Sequence, residues 1–523
     1  MSVTEHKKIT KFAGSVSIAT GISRILGYIR DMLVAQIFGA GIFADAFYAA
    51  YRIPNLFRRL LGEGSVSTAF VPVFSNYLET KTKEETQDLL NNVFTALFLI
   101  LLVITALGMI FAGPITKLIA FGFTDTPEKM EIAVILTRLM FPFLLFACLA
   151  ALMLGVLNSL KKFFLPAVAP ASLSIAEVGY VFLITYFITL PDVAQIKGLA
   201  ISVVVGGLLQ YVVQQLDVFR YGFKIKFSLN LKHPGLREVF TLIIPTIISF
   251  SADQINAFVD TICASFLAEG SITALYYSNR LMQLPLALFG IAMATVSLPL
   301  MSQSFAKNDM NQLKKTLNFS LCLVMYTLIP ATIGLIVIGL PIIRLLFEHG
   351  KFSYSASLMT YSALAFFSLG LLAYSFVKIL VSVFYSMKET KIPVRSALIA
   401  VAVNVVLSLI LMWPLGVGGL ALATSVASYV NMGILFYYLR KRIGLIGGAK
   451  ILESFFKVTT ASAIMGVVIY LVVSIPKLSI MISVPSAIIL GVLTYFVSSR
   501  ILKIEERKPV FEFLKIQSLL GDD

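Results

Sequence analysis

Apolar runs of about twenty residues, separated by short polar stretches, recur along the whole chain. Residues 94–113 (FTALFLILLVITALGMIFAG), 139–157 (LMFPFLLFACLAALMLGVL) and 406–430 (VLSLILMWPLGVGGLALATSVASYV) are three of them. A helix of that length crosses the hydrocarbon core of a bilayer, and a spanning chain has no other way to satisfy its backbone polar groups than helices or a closed barrel. The pattern predicts an all-α, polytopic membrane protein with about 14 transmembrane helices.

Four of these helices carry polar stripes. The first contains SRILGYIRD (23–31). At helical spacing Ser23, Arg24, Gly27, Arg30 and Asp31 share one face. On the second helix Asp45, Tyr48, Arg52, Asn55, Arg59 and Glu63 follow at alternating steps of three and four, with Pro54 kinking the helix midway and Arg58 off the stripe. The seventh shows Thr246, Ser249, Asp253, Asn256 and Asp260, and the eighth Thr273, Tyr276, Arg280 and Gln283. A charge near the bilayer centre costs at least about 2.5–3.5 kcal/mol, so these faces should meet water or a partner. The reading is a hydrated central cavity, open to one side at a time.

Structural ion pairs are the plain alternative: Arg30 with Asp45, Asp31 with Arg24, Arg280 with Asp260. Against it, Arg24, Arg30, Arg52, Arg59 and Arg280 outnumber the carboxylates at hand in the first lobe, and unpaired buried cations need an anion or water. A guanidinium fits phosphate oxygens in bidentate fashion and stays charged in a partly dry site. The cavity therefore reads as built for an anion, a phosphate on a bulky head group, with any lipid tail left in the bilayer.

Composition agrees. Of 523 residues 58% are hydrophobic and 13% charged, where soluble domains carry about 25% charge. The net charge of +15 suggests nucleic acid only until its placement is read. With loops assigned to alternate sides, Lys and Arg collect on one side, and the positive-inside rule places both termini in the cytoplasm. The basic start MSVTEHKKITK leads into an arginine-bearing helix with no small-residue cleavage site, so no signal peptide is expected. Cys148, Cys263 and Cys322 fall in apolar segments and read as core packing. His6, His233 and His349 fall in loops or tails, which leaves no histidine proton relay in the membrane.

The chain also looks duplicated. VLNSLKKFFLPAVAP (156–170) pairs with VFYSMKETKIPVRSA (383–397), and FVPVFSNY (70–77) with SLPLMSQS (297–304), at one common offset. The expected organisation is two six-helix lobes in parallel repeat: an N-lobe at 1–220, an amphipathic cytoplasmic linker at 221–238 and a C-lobe at 239–445. An additional helix pair at 446–502 and a cytoplasmic tail at 503–523 complete it.

SRILGYIRD, FGAGIFADAFYAAYRIPNLFRRLLGEGSVSTAFVPVF, ASFLAEGSITALYYSNRLMQLP, FEHGKF and VFYSMKETKIPV, in this order, resemble the MurJ (MviN) family of lipid II flippases, within the multidrug/oligosaccharidyl-lipid/polysaccharide exporter superfamily. The resemblance implies a 14-helix bacterial inner-membrane protein that moves undecaprenyl-pyrophosphate-disaccharide-pentapeptide outward by alternating access, with no cofactor. Family cavity arginines carry over to Arg24, Arg30, Arg52 and Arg280, with Asp31 and Asp45 as acidic neighbours. Ser23, Tyr48, Asn55, Arg59, Asp253 and Asn256 support the cavity in this reading. Gly62, Glu63 and Gly64 match a region that helps close the cytoplasmic side, and the last two helices match a groove for the lipid tail. Asn279 departs from the family, where an acidic residue often precedes the second-lobe arginine.

Coupling to membrane potential or a monovalent cation is left open, with Asp260, Asn404, Ser408 and Thr424 as candidate cation ligands. Lipid II and the phospholipid bilayer are the expected partners, peptidoglycan-synthesis proteins further ones, and nucleic acid is not. A multidrug or cation antiporter would favour carboxylates and aromatics around its ligand, the opposite sign. A flippase for another isoprenoid-pyrophosphate saccharide would share the arginines. An enzyme would need clustered carboxylates, a metal motif or a nucleophile constellation, and the sequence shows none.

Overall fold

The computed structural model describes residues 3–60, 67–476 and 478–507, with side chains described for 19–60, 69–243, 254–476 and 478–507. Contacts divide the chain into two compact units, Met1–Ile272 and Thr273–Asp523. Helices in chain order are α1 (Val3–Phe38), α2 (Ile42–Phe57), α3 (Ser67–Thr80), α4 (Lys83–Ile110), α5 (Ala112–Ile119) and, after a 3-10 turn at Phe121–Asp125, α6 (Pro127–Met140). Then come α7 (Pro142–Ser159), α8 (Phe164–Val168), α9 (Ala171–Tyr186), α10 (Asp192–Arg220) and α11 (Pro234–Ser265). The remainder is α12 (Ser271–Pro285), α13 (Ala292–Ala306), α14 (Met310–Phe347), α15 (Tyr354–Leu369), α16 (Leu371–Ser386), α17 (Lys391–Ile443), α18 (Gly448–Val473) and α19 (Ile480–Ile501). No strand occurs among the described residues.

Eight helices among the described residues are long and apolar enough to cross a membrane, or nine when the bent pair Tyr354–Leu369 and Leu371–Ser386 is one span. The longest of them, α17, cannot be one rod. Along a straight helix Asn404 and Thr424 would lie roughly 30 Å apart. Their side chains instead share a hydrogen bond of 2.9 Å. The chain folds back at Gly416, whose φ of 55° and ψ of −131° are open to glycine alone. A Cβ on Gly419 would lie 2.1 Å from the Leu411 carbonyl oxygen, so the two legs meet backbone to backbone.

The duplication is visible in element boundaries. Lys83 and Met310 open α4 and α14, and Ser159 and Ser386 close α7 and α16, each pair 227 residues apart. Lys161 and Lys388, at the same offset, both take positive φ, 60° and 58°. At the same offset the two legs of α17, before and after Gly416, match α9 and α10 in the chain.

In the first unit the core gathers Phe70 and Phe74 of α3, Leu89 and Leu90 of α4, Leu149 and Leu152 of α7, and Val239 of α11. Helix α11, expected at the head of the C-lobe, packs here on α2, α3, α4 and α5. The stretch after α10 runs extended along α4. Backbone N–H groups of Lys224, Lys226, Ser228 and Asn230 donate to Gln87, Asn91, Thr95 and Asn92. Alternate residues of an extended chain point the same way, so a polar face on a helix can hold them in turn. In the second unit α14 is the centre, contacting α13, α15, α16, α18 and α19. Tyr326 of α14 joins the last helix by bonds to Ser499 and, through its carbonyl, to the Tyr495 hydroxyl.

Candidate functional site

The stripe on α1 resolves into a buried ionic cluster. Arg30, 9% exposed, donates through Nη2 and Nε to Asp31 Oδ1 at 2.6 and 3.0 Å. Its Nη1 donates to Glu177 Oε1 of α9 at 3.3 Å. One guanidinium thus sits between two carboxylates and ties α1 to α9. An ionised group this deep is tolerated because its partners are equally buried, Asp31 at 1% and Glu177 at 3% exposure.

A second cluster anchors the start of α2. Lys129 Nζ of α6 donates to Asp45 Oδ2 at 2.8 Å, and the Gly270 N–H donates to the same oxygen at 2.8 Å. Glu269 Oε1 accepts the Ile42 N–H at 2.9 Å, satisfying one of the open donors at the start of α2. Both carboxylates therefore clasp the turn after α11 to the start of α2. Gly270 is required there: its φ is +89°, and a Cβ would approach the Ala40 carbonyl oxygen to 2.6 Å. The Lys129 ammonium also lies 4.3 Å from the Phe123 ring centroid.

Further along α2, Arg52 Nε donates to Thr261 Oγ1 of α11 at 2.8 Å, and Arg58 Nε to Asn55 Oδ1 at 3.0 Å. Tyr48 is buried with its ring edge-on to Phe47. Arg24 is exposed, Ser23 and Arg59 are half-buried. Neither Arg24 nor Arg59 has an ion pair among the described residues. On α11 Asp260 is buried, and Asn256, one turn before it, holds a buried Oδ1 with no hydrogen-bond partner among the described residues. The side chain of Asp253, and Gly62, Glu63 and Gly64, lie outside the described residues.

In the second unit Arg280 is half-buried on α12, and the neighbouring Asn279 accepts a 2.6 Å bond from Gln283. Asn404 and Thr424 meet across the α17 hairpin, with Ser408 fully buried one turn on from Asn404.

The ion pairs observed run from Arg30 to Asp31 and Glu177 and from Lys129 to Asp45, so the sequence reading missed Glu177 and Lys129. It also missed Thr261. Glu177 was findable: it is a lone carboxylate inside an apolar helix, which by itself flags a buried partner. Lys129 carries no such mark, being one residue past Pro127-Glu128 at a helix start that reads as a loop. With Glu177 counted, Arg30 is neutralised by two carboxylates.

The sequence matches the family described as Lipid II flippase MurJ over residues 34–493. The "Probable lipid II flippase MurJ" of Vibrio cholerae serotype O1 is 38% identical over 442 residues, covering 83% of each chain. A solved structure described as "Lipid II flippase MurJ, inward closed conformation" superposes with a TM-score of 0.79 at 31% identity, covering 93% of this chain and 98% of that one. An inward-facing multidrug resistance transporter of the MATE family shares the fold at a TM-score of 0.66 and 12% identity, over 81% of this chain and 95% of its own. From the match along most of its length, together with the helical duplication, this chain belongs to the MurJ family of lipid II flippases.

Proposed function

We propose that this chain is a lipid II flippase, a multi-pass membrane protein whose role is transport rather than catalysis. It moves undecaprenyl-pyrophosphate-disaccharide-pentapeptide from the cytoplasmic to the periplasmic leaflet of the inner membrane by alternating access, with both termini cytoplasmic. The carrying observation, beside family membership, is the division of labour among the arginines. Arg30 is held by two carboxylates and so cannot offer a free charge without breaking them, whereas Arg24 and Arg59 have no ion pair among the described residues. We assign first capture of the pyrophosphate to Arg24, with Arg59 of the α2 stripe as a second cation for it. Arg30, clamped, sets the position of the α1 stripe, and Arg280 plays the capturing part in the second unit.

Membrane potential or a monovalent cation supplies the return stroke in this reading. Asn404 Oδ1 and Ser408 Oγ are buried oxygens with no hydrogen-bond partner among the described residues, a donor set that suits a small hard cation. The pair α18 and α19, packed on α14, is assigned to the lipid tail.

The test is rescue of cells depleted of their own flippase, read by how much lipid-linked precursor becomes accessible to a cleaving toxin on the periplasmic side. The wild-type chain restores that signal, while Arg24→Ala and Arg280→Ala accumulate in the membrane and do not. Arg24→Lys restores part of it, since a point charge lacks the bidentate fork. Wild-type protein that accumulates without restoring the signal overturns the flippase reading. Full signal from both alanine variants overturns the assigned roles.

A further inference from the structure

A pocket of about 920 Å³ opens in the second unit, walled by the first turns of α14, the turn between α17 and α18, and the segment after α19. Lys314 and Lys315 line it, and neither has an ion pair or hydrogen bond among the described residues. Lys450 also lines it and is already matched by Glu505 at 2.6 Å. Glu506 is 6% exposed and belongs to the floor. Three ammonium groups and two carboxylates thus line the pocket, and the net charge of +1 lies on the side of Lys314 and Lys315.

Beside them stands bare hydrocarbon. Phe319 is 45% exposed and Leu445 72%, both on the pocket wall. The floor is preformed: Asn318 Nδ2 donates to the carbonyls of Ile446 at 2.9 Å and Gly447 at 3.2 Å. Gly447 turns there with φ of 78°. A ligand suited to this place carries negative charge at one end and an apolar body at the other, and it meets little reorganisation on binding.

The basic run Arg440, Lys441 and Arg442 closes α17 just before the pocket. Such clusters at the ends of spanning helices lie at the level of lipid head groups, where basic pockets hold anionic ones. A soluble phosphate would have no use for Phe319 and Leu445. We propose that this pocket binds the phosphate of an anionic glycerophospholipid, held between Lys314 and Lys315 with its acyl chains along Phe319 and Leu445. It is a resident lipid site, apart from the arginine stripe assigned to the transported lipid.

The experiment uses the full chain purified in detergent with phosphatidylcholine and titrated with phosphatidylglycerol, bound lipid being counted by native mass spectrometry. Each lysine near an anionic surface contributes about fivefold in affinity. Lys314→Ala with Lys315→Ala should therefore bind phosphatidylglycerol roughly thirtyfold more weakly. Leu445→Ser should weaken it by a smaller factor, and Lys197→Ala, outside the pocket, should leave it unchanged. Thermal unfolding in phosphatidylcholine checks that the variants fold, and Lys314→Gln with Lys315→Gln replaces the alanine pair should that pair misfold. Unchanged binding by the double variant overturns the proposal, as does equal binding of phosphatidylcholine. Full displacement of the lipid by millimolar inorganic phosphate would make this a free-anion site and overturn it too.

Discussion

In the first unit Arg30, Asp31, Asp45, Lys129 and Glu177 are ionisable side chains no more than 9% exposed, each tied to another of the five. The spanning helices of the second unit are joined by hydroxyls and an amide: Ser297 against Ser320 at 2.7 Å, Ser425 on the Phe366 carbonyl at 2.7 Å, Asn404 on Thr424 at 2.9 Å. The two repeats share boundaries and departed in how they join helices. Ion pairs in a low dielectric leave a costly orphan when one partner goes, so they fix α1 on α9 and α2 on α6. Neutral bonds between helices are worth little each and hold without locking. The polar stripes of α1 and α2 are thus mounted on the stiffer of the two constructions.

The sharpest break of this contrast is at Lys129. Lys129→Ala should destabilise the protein by about 3–5 kcal/mol, because Asp45 stays buried without its cation. Lys129→Met combined with Asp45→Asn should recover much of that loss, which thermal unfolding in detergent measures. Equal losses in the single and double variants would show that packing, not charge, holds α2.

Glu177→Gln comes next. Arg30 keeps Asp31, so the expected cost is about 1.5–3 kcal/mol, the range for a hydrogen bond to a charged group. Because the clamp on Arg30 loosens, precursor delivery in the rescue assay should fall further than protein abundance does. Thr261→Val removes one acceptor of the half-buried Arg52 and should cost about 1 kcal/mol. Smallest is Thr424→Val in the second unit, at about 0.6 kcal/mol, the average for a hydrogen bond between membrane helices. A loss there as large as at Lys129 would erase the distinction between the units.

Much of this was readable before any coordinates. The polar stripes on α1 and α2 emerge from helical spacing, and the 227-residue offset reappears in Lys83 and Met310 as helix starts. The pairing within the stripes was not readable. Glu177 is 147 residues from Arg30, and Lys129 is 84 from Asp45. Only the packing of α1 on α9 and of α2 on α6 brings them together. The stretch after α10 shows the same limit: the sequence marks it as an amphipathic linker, but its attachment to Gln87, Asn91, Asn92 and Thr95 depends on the polar face α4 offers it.

The sequence by itself determined that the chain spans a membrane as helices, that it is duplicated, and which helix faces are polar. Those follow from local periodicity and from the cost of bare backbone in hydrocarbon. The tertiary structure alone decided which carboxylate neutralises which cation, as Glu177 does Arg30 and Asp45 does Lys129. That choice depends on contacts a few ångströms long between helices far apart in the chain, where burial makes each pairing strong and each omission expensive.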